Sequence, residues 1–216
     1  MSRLRLNLWT ARPLVAAGIA LLVGSLIAFV DRPVAKLVAT SKSETSQDVA
    51  HVVSVFGEPM LYLVIGAIAF VLWPRTGIIR RNRVLFLVLA ATTPWLWADL
   101  LKVLLGRARP ALYLQNGFYG FQPLDTDPSF WSFPSGHSTV AAAVAVALSM
   151  LMPSYRGTFV LLAFLVAISR VILGIHYPSD AVAGLLLGLE IAILLKAIFV
   201  HAGIPLWAGQ QPPSHR

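Results

Sequence analysis

Along the chain, apolar residues gather into six runs separated by short polar gaps. They lie near Pro13 to Val30, Val49 to Trp73, Val84 to Leu105, Ser138 to Met152, Thr158 to Leu173 and Ala181 to Val200. A helix that crosses a bilayer needs about 20 mostly apolar residues, and a helix satisfies its own backbone polar groups where no water can. The fourth and fifth runs are short, so their ends are soft. The pattern predicts an all-α polytopic membrane protein: a six-transmembrane-helix bundle in which residues 1–216 form a single membrane-embedded domain. Arg3, Arg5 and Arg12 precede the first run as they would in a signal peptide. That run is long for a signal core, and Phe29, Val30, Asp31 and Arg32 offer no small-residue cleavage site. It is expected to remain as the first helix.

Composition agrees. Of the 216 residues, 57% are hydrophobic and 12% charged, and the mean hydropathy is +0.76. A soluble domain carries about 25% charged residues, so much of this surface belongs against lipid. Such hydrophobicity excludes disorder, and the lack of charged helix faces excludes a coiled coil. Without cysteine there are no disulfides, thiolate chemistry or Cys-based zinc sites. The net charge of +8 would fit a nucleic-acid binder if it formed a tail or stripe, but it is scattered over the polar gaps. No nucleic-acid partner is expected.

The charge sets an orientation instead. Arg3, Arg5 and Arg12, then Arg75, Arg80, Arg81 and Arg83, then Arg156, and finally Arg216 fall on one side of a six-crossing chain. By the positive-inside rule that side, with both termini, is cytoplasmic. The other side receives the segments 31–48, 106–133 and 174–179.

Three polar clusters fall on that second side. Lys102 and Arg109 are seven residues apart, so on a continuous helix both project from one face, with Pro110 fraying its end. Taken alone, they read equally well as a pair snorkelling to the interface. Phe133-Pro134-Ser135-Gly136-His137 marks a helix start whose free N–H groups point outward, with the positive end of the helix dipole behind them. Alone, it is a capped helix entering the membrane. Ser169-Arg170 is followed by His176-Tyr177-Pro178-Ser179-Asp180, where Asp180 can accept the imidazole Nδ1–H and leave the Nε2 lone pair free. Alone, it is a capping aspartate beside a loop histidine.

Together, they put Lys102, Arg109 and Arg170, a donor-rich helix start and two histidines at one membrane face. Phosphoryl transfer needs such charge neutralisation above all. Three fixed cations also oppose a divalent ion, so zinc at His137, His176 and Asp180 is not expected.

Lys-x6-Arg-Pro, Pro-Ser-Gly-His and Ser-Arg-x5-His-x3-Asp, in that order, resemble the three signature motifs of the type 2 phosphatidic acid phosphatase superfamily. All eleven specified positions match, between Lys102 and Asp180. The resemblance implies that His176 is the nucleophile that becomes a phosphohistidine, supported by Asp180. His137 would protonate the leaving oxygen and then activate water. Lys102, Arg109, Arg170, Ser135 and the Gly136 backbone would hold the phosphate. No cofactor and no metal are implied.

The implied activity is an integral-membrane lipid phosphatase of the bacterial inner membrane, with its site facing the periplasm or exterior. Candidate substrates are undecaprenyl diphosphate, phosphatidylglycerol phosphate, phosphatidic acid and the 1-phosphate of lipid A. A lipid phosphotransferase and a non-enzymatic anion transporter are the competing readings. The His176–Asp180 pair is a feature that transport would not require.

Outside the motifs, Arg107 is expected to face lipid headgroups, and Asp99 to pair with Lys102. Glu58 and Glu190 are expected to face the bundle interior. The aromatic segment 113–133 is expected to form an irregular or interfacial cap.

Overall fold

The computed structural model describes residues 8–72 and 77–208. Arg3, Arg5, Arg75 and Arg216, and the side chain of Arg12, lie outside the described part. Among the described residues nine α-helices run in order: α1 Leu8–Ser25, α2 Asp31–Thr40, α3 Glu44–Ser54, α4 Pro59–Leu72, α5 Ile78–Leu105, α6 Pro110–Asn116, α7 Gly136–Leu151, α8 Arg156–Ile172 and α9 Pro178–His201. Among the described residues there are no strands, only two isolated bridges, both at Arg107.

The all-helical expectation holds, while the number of crossings does not follow from length alone. Among the described residues four helices are long and apolar enough to span a bilayer: Pro13–Thr40, Ile78–Leu105, Pro153–Ile172 and Pro178–His201. The pair 44–57 and 59–72, bent by 51°, makes a fifth if counted as one. Helix α7 is apolar but has only 16 residues.

Two boundaries differ from the sequence expectation for local reasons. The first run does not stop at Val30. A π-helical turn over Leu26–Val30 leads directly into α2, and Asp31 and Ala35 are the buried residues of α2. A wide turn of this kind rotates the face of everything after it, which brings Asp31 inward. The second run is broken at Glu58, which has φ −84° and ψ 118°. Pro59 has no amide hydrogen to continue the helix and disfavours α geometry at the residue before it.

Helix α7 is the centre of the bundle, packed against α5, α8 and α9. Its buried face is rich in small residues: Ala141, Ala142, Ala143, Ala145 and Ala147. On α9, Gly184 and Gly188 answer them. A Cβ at Gly188 would stand 2.1 Å from the Thr139 carbonyl oxygen, and one at Gly184 would stand 2.6 Å from that of Ser135. The two backbones therefore touch, as small residues four apart allow. That contact sets the start of α9 beside the start of α7, where the Ser135 N–H donates to the Asp180 carbonyl at 3.0 Å.

Candidate active site

Helix α5 does not run on to Arg109. It stops at Gly106, which takes φ +60°, and a Cβ there would lie 1.6 Å from the Gln122 carbonyl oxygen. Only glycine enters this left-handed turn without strain. Lys102 and Arg109 therefore do not share a helical face. Lys102 projects from the last turn of α5, and Arg109 caps the start of α6.

The loop still returns Arg109 to the same place. Lys102 Nζ lies where a Cβ on Gly136 would meet it at 3.2 Å, so the ammonium sits over the start of α7. Lys102 also pairs with Asp99 at 2.6 Å, as expected from their spacing. Arg109 donates through Nε to the Pro128 carbonyl at 3.0 Å and acts electrostatically on His176. Arg170, at the end of α8, acts on His176, on His137 and on Arg109's charge in turn. One of its nitrogens donates to Ser54 Oγ at 2.5 Å, while Nε is buried with no acceptor among the described residues.

At the start of α7, the Ser135 N–H is occupied by Asp180, so the expectation of a free amide there is corrected. Gly136 and His137 are the first two residues of the helix, and their amides have no intrahelical acceptor. The Ser135 hydroxyl accepts from Ser138 Oγ at 3.0 Å and keeps its own hydrogen to donate.

His176 is buried in the turn between α8 and α9. Its Nδ1 is 2.8 Å from the Ser132 carbonyl and 3.6 Å from Asp180 Oδ2. The closer partner is thus a backbone carbonyl, which the sequence reading did not foresee. A carbonyl only accepts, so Nδ1 carries the hydrogen and Nε2 keeps its lone pair. Burial pushes the imidazole pKa down to about 4, against the opposing pull of Asp180, with Arg109 and Arg170 adding to the depression. The ring is neutral at physiological pH.

Asp180 is fully buried and supports this turn. It accepts from Ser132 Oγ at 2.6 Å, from the Tyr177 amide at 2.8 Å and from Arg107. Arg107 corrects a second expectation: it does not face headgroups. It is 1% exposed and joins Asp180 to Asp31, the latter at 2.6 Å. It also donates to Ser179 Oγ at 2.6 Å and to the Tyr119 hydroxyl at 3.0 Å. Burial lowers its pKa, and Asp180 and Asp31 more than reverse that, so it stays charged.

Aromatic rings of Tyr177, Phe121, Tyr119 and Phe133 surround the guanidinium at 4.6, 5.4, 5.6 and 5.8 Å. Part of the aromatic 113–133 segment therefore closes over this ion triad. Glu58 is half-exposed at the mouth of the bundle, 3.3 Å from His137. Glu190 is exposed on α9, contrary to the inward placement expected of it.

Known proteins share this architecture. The model of the PAP2 superfamily matches residues 82–203. Lipid A 1-phosphatase of Rhizobium johnstonii is 41% identical over 109 residues, 50% of this chain and 45% of that protein. The chain thus matches under half the length of that relative. Decaprenylphosphoryl-5-phosphoribose phosphatase of Mycobacterium tuberculosis is 31% identical over 184 residues, 83% of this chain and 89% of that protein. The crystal structure of a transmembrane PAP2-type phosphatidylglycerolphosphate phosphatase from Bacillus subtilis superimposes with a TM-score of 0.60 at 28% identity, covering 84% of this chain and 94% of that one.

Proposed function

The chain belongs to the PAP2 superfamily, and from that membership we propose that it is an integral-membrane lipid phosphatase working through a phosphohistidine. Its spanning helices and bacterial relatives make it a bacterial membrane protein. The observation that carries the reading is the convergence of Arg109 and Arg170 on His176, whose Nδ1–H is fixed and whose Nε2 is free to attack, with Lys102 beside it over Gly136 and His137.

In this reading Lys102, Arg109 and Arg170 hold the non-bridging phosphate oxygens, with the Ser135 hydroxyl and the Gly136 amide. A phosphate oxygen would supply the acceptor that buried Arg170 Nε otherwise lacks. His176 Nε2 attacks phosphorus while the bond to the lipid oxygen breaks, and His137 gives that oxygen a proton. Water then attacks the phosphohistidine, His137 takes its proton, and inorganic phosphate leaves with His176 restored. Asp180 supports the imidazole through Ser132 and through its own nearby charge. The reaction uses no metal.

We further assign α7 as a crossing, the fourth along the chain, which brings the total to six. Its 16 residues span about 24 Å, short of the roughly 30 Å hydrocarbon core. Enclosed by α5, α8 and α9, it meets protein and need not match the lipid thickness. Six crossings in the single domain put both termini in the cytoplasm and the site on the outer face of the inner membrane, where the headgroup enters the cleft and the chains stay in the bilayer. The substrate class is undecaprenyl diphosphate, phosphatidylglycerol phosphate, phosphatidic acid or lipid A 1-phosphate, and the last heads the panel because of the Rhizobium relative.

The test is phosphate release from these four lipids with chelator present, for wild type, His176→Ala and His137→Ala. Metal-independent release, lost in both variants, is the expected result. Activity that survives His176→Ala would remove the nucleophile. Transfer of phosphate to an added lipid in place of water would make the protein a phosphotransferase, and no turnover of any kind would leave an anion-handling protein.

A further inference from the structure

The catalytic reading leaves Glu58 without a task, yet its position is specific. It occupies the break between the 3-10 turn Val55–Gly57 and Pro59, where the two helices diverge by 51°. Gly57 packs on His137 so closely that a Cβ there would lie 2.8 Å from both His137 Cβ and its carbonyl oxygen. The next residue then brings Glu58 Oε2 to 3.3 Å from His137 Nε2. The side chains of Glu58 and His137 are 47% and 27% exposed, so the pair opens to the cleft.

The charges around His137 give that contact its meaning. Lys102 from α5 and Arg170 from α8 both oppose a positive imidazole there, and His176 from the α8–α9 turn, itself neutral, faces it too. An imidazole that must deliver a proton needs an anion to offset them. Glu58 is the carboxylate in contact with it. Arg170 lies within the same field, attracted by Glu58 and bonded to Ser54 one turn earlier in the chain.

We propose that Glu58 is a positioning residue for His137: it accepts the Nε2–H, fixes the ring and sustains the proton that His137 passes to the leaving oxygen. This deepens the phosphatase reading and rests on it. When the P–O bond breaks and the His176 N–P bond forms, the Nδ1 proton of His137 goes to the lipid oxygen while the Nε2–H stays with Glu58. The neutral ring is then left with its Nδ1 lone pair free. That lone pair takes the proton of the attacking water, and the carboxylate at Nε2 favours this return to the charged form.

The experiment compares wild type, the isosteric Glu58→Gln and Glu58→Asp in the full-length protein in detergent. Two readouts are taken: the pH profile of kcat on lipid phosphate, and the NMR titration of isotope-labelled histidine, with the His137 signal identified from His137→Gln. In Glu58→Gln, kcat is expected to fall about 10- to 100-fold at neutral pH. KM should stay within about threefold, and the alkaline limb should move down by about one pH unit, since an opposing charge has been lost. Glu58→Asp should recover part of both effects, and it serves as the informative variant if Glu58→Gln does not fold.

Full activity in Glu58→Gln, or a fall in kcat with an unmoved alkaline limb, would overturn the proposal. So would a His137 signal that titrates at the same pH in wild type and Glu58→Gln. Wild-type protein that releases no phosphate would overturn the phosphatase reading instead, while the NMR titration would still decide the pairing.

Discussion

Replacing Arg107 by leucine removes the cation that lies between two carboxylates with no access to solvent. Asp31 and Asp180 are each 0% exposed, and Arg107 is 1% exposed. After the change Asp180 keeps Ser132 Oγ at 2.6 Å and the Tyr177 amide at 2.8 Å. Asp31 keeps the Ser179 amide at 3.0 Å and the Ser179 hydroxyl. Their hydrogen bonds largely survive, but their charge is left unpaired. Removing one partner of a buried ion pair costs about 3–5 kcal/mol, and here one deletion strands two anions, which places the loss at the upper end.

Arg107→Lys keeps the charge without the two-pronged fork, so the ammonium cannot serve both carboxylates at once, and about half the loss is expected. Adding Asp31→Asn to Arg107→Leu removes one stranded charge and should return about 1–3 kcal/mol, measured as coupling in a double-mutant cycle. The assay is denaturant or thermal unfolding of the full-length protein in detergent, with kcat followed in parallel. Activity should fall with Arg107→Leu, because Asp180 and Ser132 orient His176 from behind. Arg107→Leu within about 1 kcal/mol of wild type, or an additive double mutant, would refute the account of the triad.

Two further outcomes follow from the same site and its support. His176 is held neutral by burial with a pKa near 4, below the ordinary value of 6.5. The unfolded chain binds a proton below about pH 6.5 that the folded chain refuses until about pH 4. Stability should therefore fall as pH drops through that window, by at most about 1.4 kcal/mol per pH unit from this group, and be fully present above it. With His176 as the proposed nucleophile, the acid limb of kcat/KM should lie near pH 4, and a limb near 6.5 would contradict its burial. Gly188→Ala places a methyl where the Thr139 carbonyl stands 2.1 Å away, so α9 must move off α7. A loss of about 2 kcal/mol or more and a fall in kcat are expected, and unfolding unchanged from wild type would deny the backbone contact.

How much of this could be read from residue order differs by level. The helices were legible because hydropathy alone marks segments that must bury or face lipid. The cluster of Lys102, Arg109, Arg170, His137 and His176 was legible because helix alternation brings those chain positions to one end. What escaped was geometry set by single residues within apparently uniform stretches. Gly106 ends α5 three residues before Arg109, and Pro59 breaks a run that is otherwise apolar enough to pass for one helix. The π turn before Asp31 has no compositional mark at all.

The misplaced charges share one cause. Arg107 and Asp31 stand at the polar edges of apolar runs, where a snorkelling cation or a helix-start carboxylate is ordinary, so neither stands out without its partner. Their partnership is made across 76 residues of chain, and each is affordable in the interior only because the other is there. A usable signal did exist: in the proposed orientation Asp31, Arg107 and Asp180 all fall on the side of the bundle that the positive-inside rule should leave poor in cations. Lys102, Arg109 and Arg170 break the same rule on that side, and in the proposed mechanism the anion that answers them is the phosphate of the substrate. For Arg107 the answering anions are built into the chain, and the triad holds Asp180 behind His176. Basic residues on the disfavoured side thus divide into those balanced by the fold and those kept for a ligand, and carboxylates buried at run edges, as Asp31 is, identify the first kind.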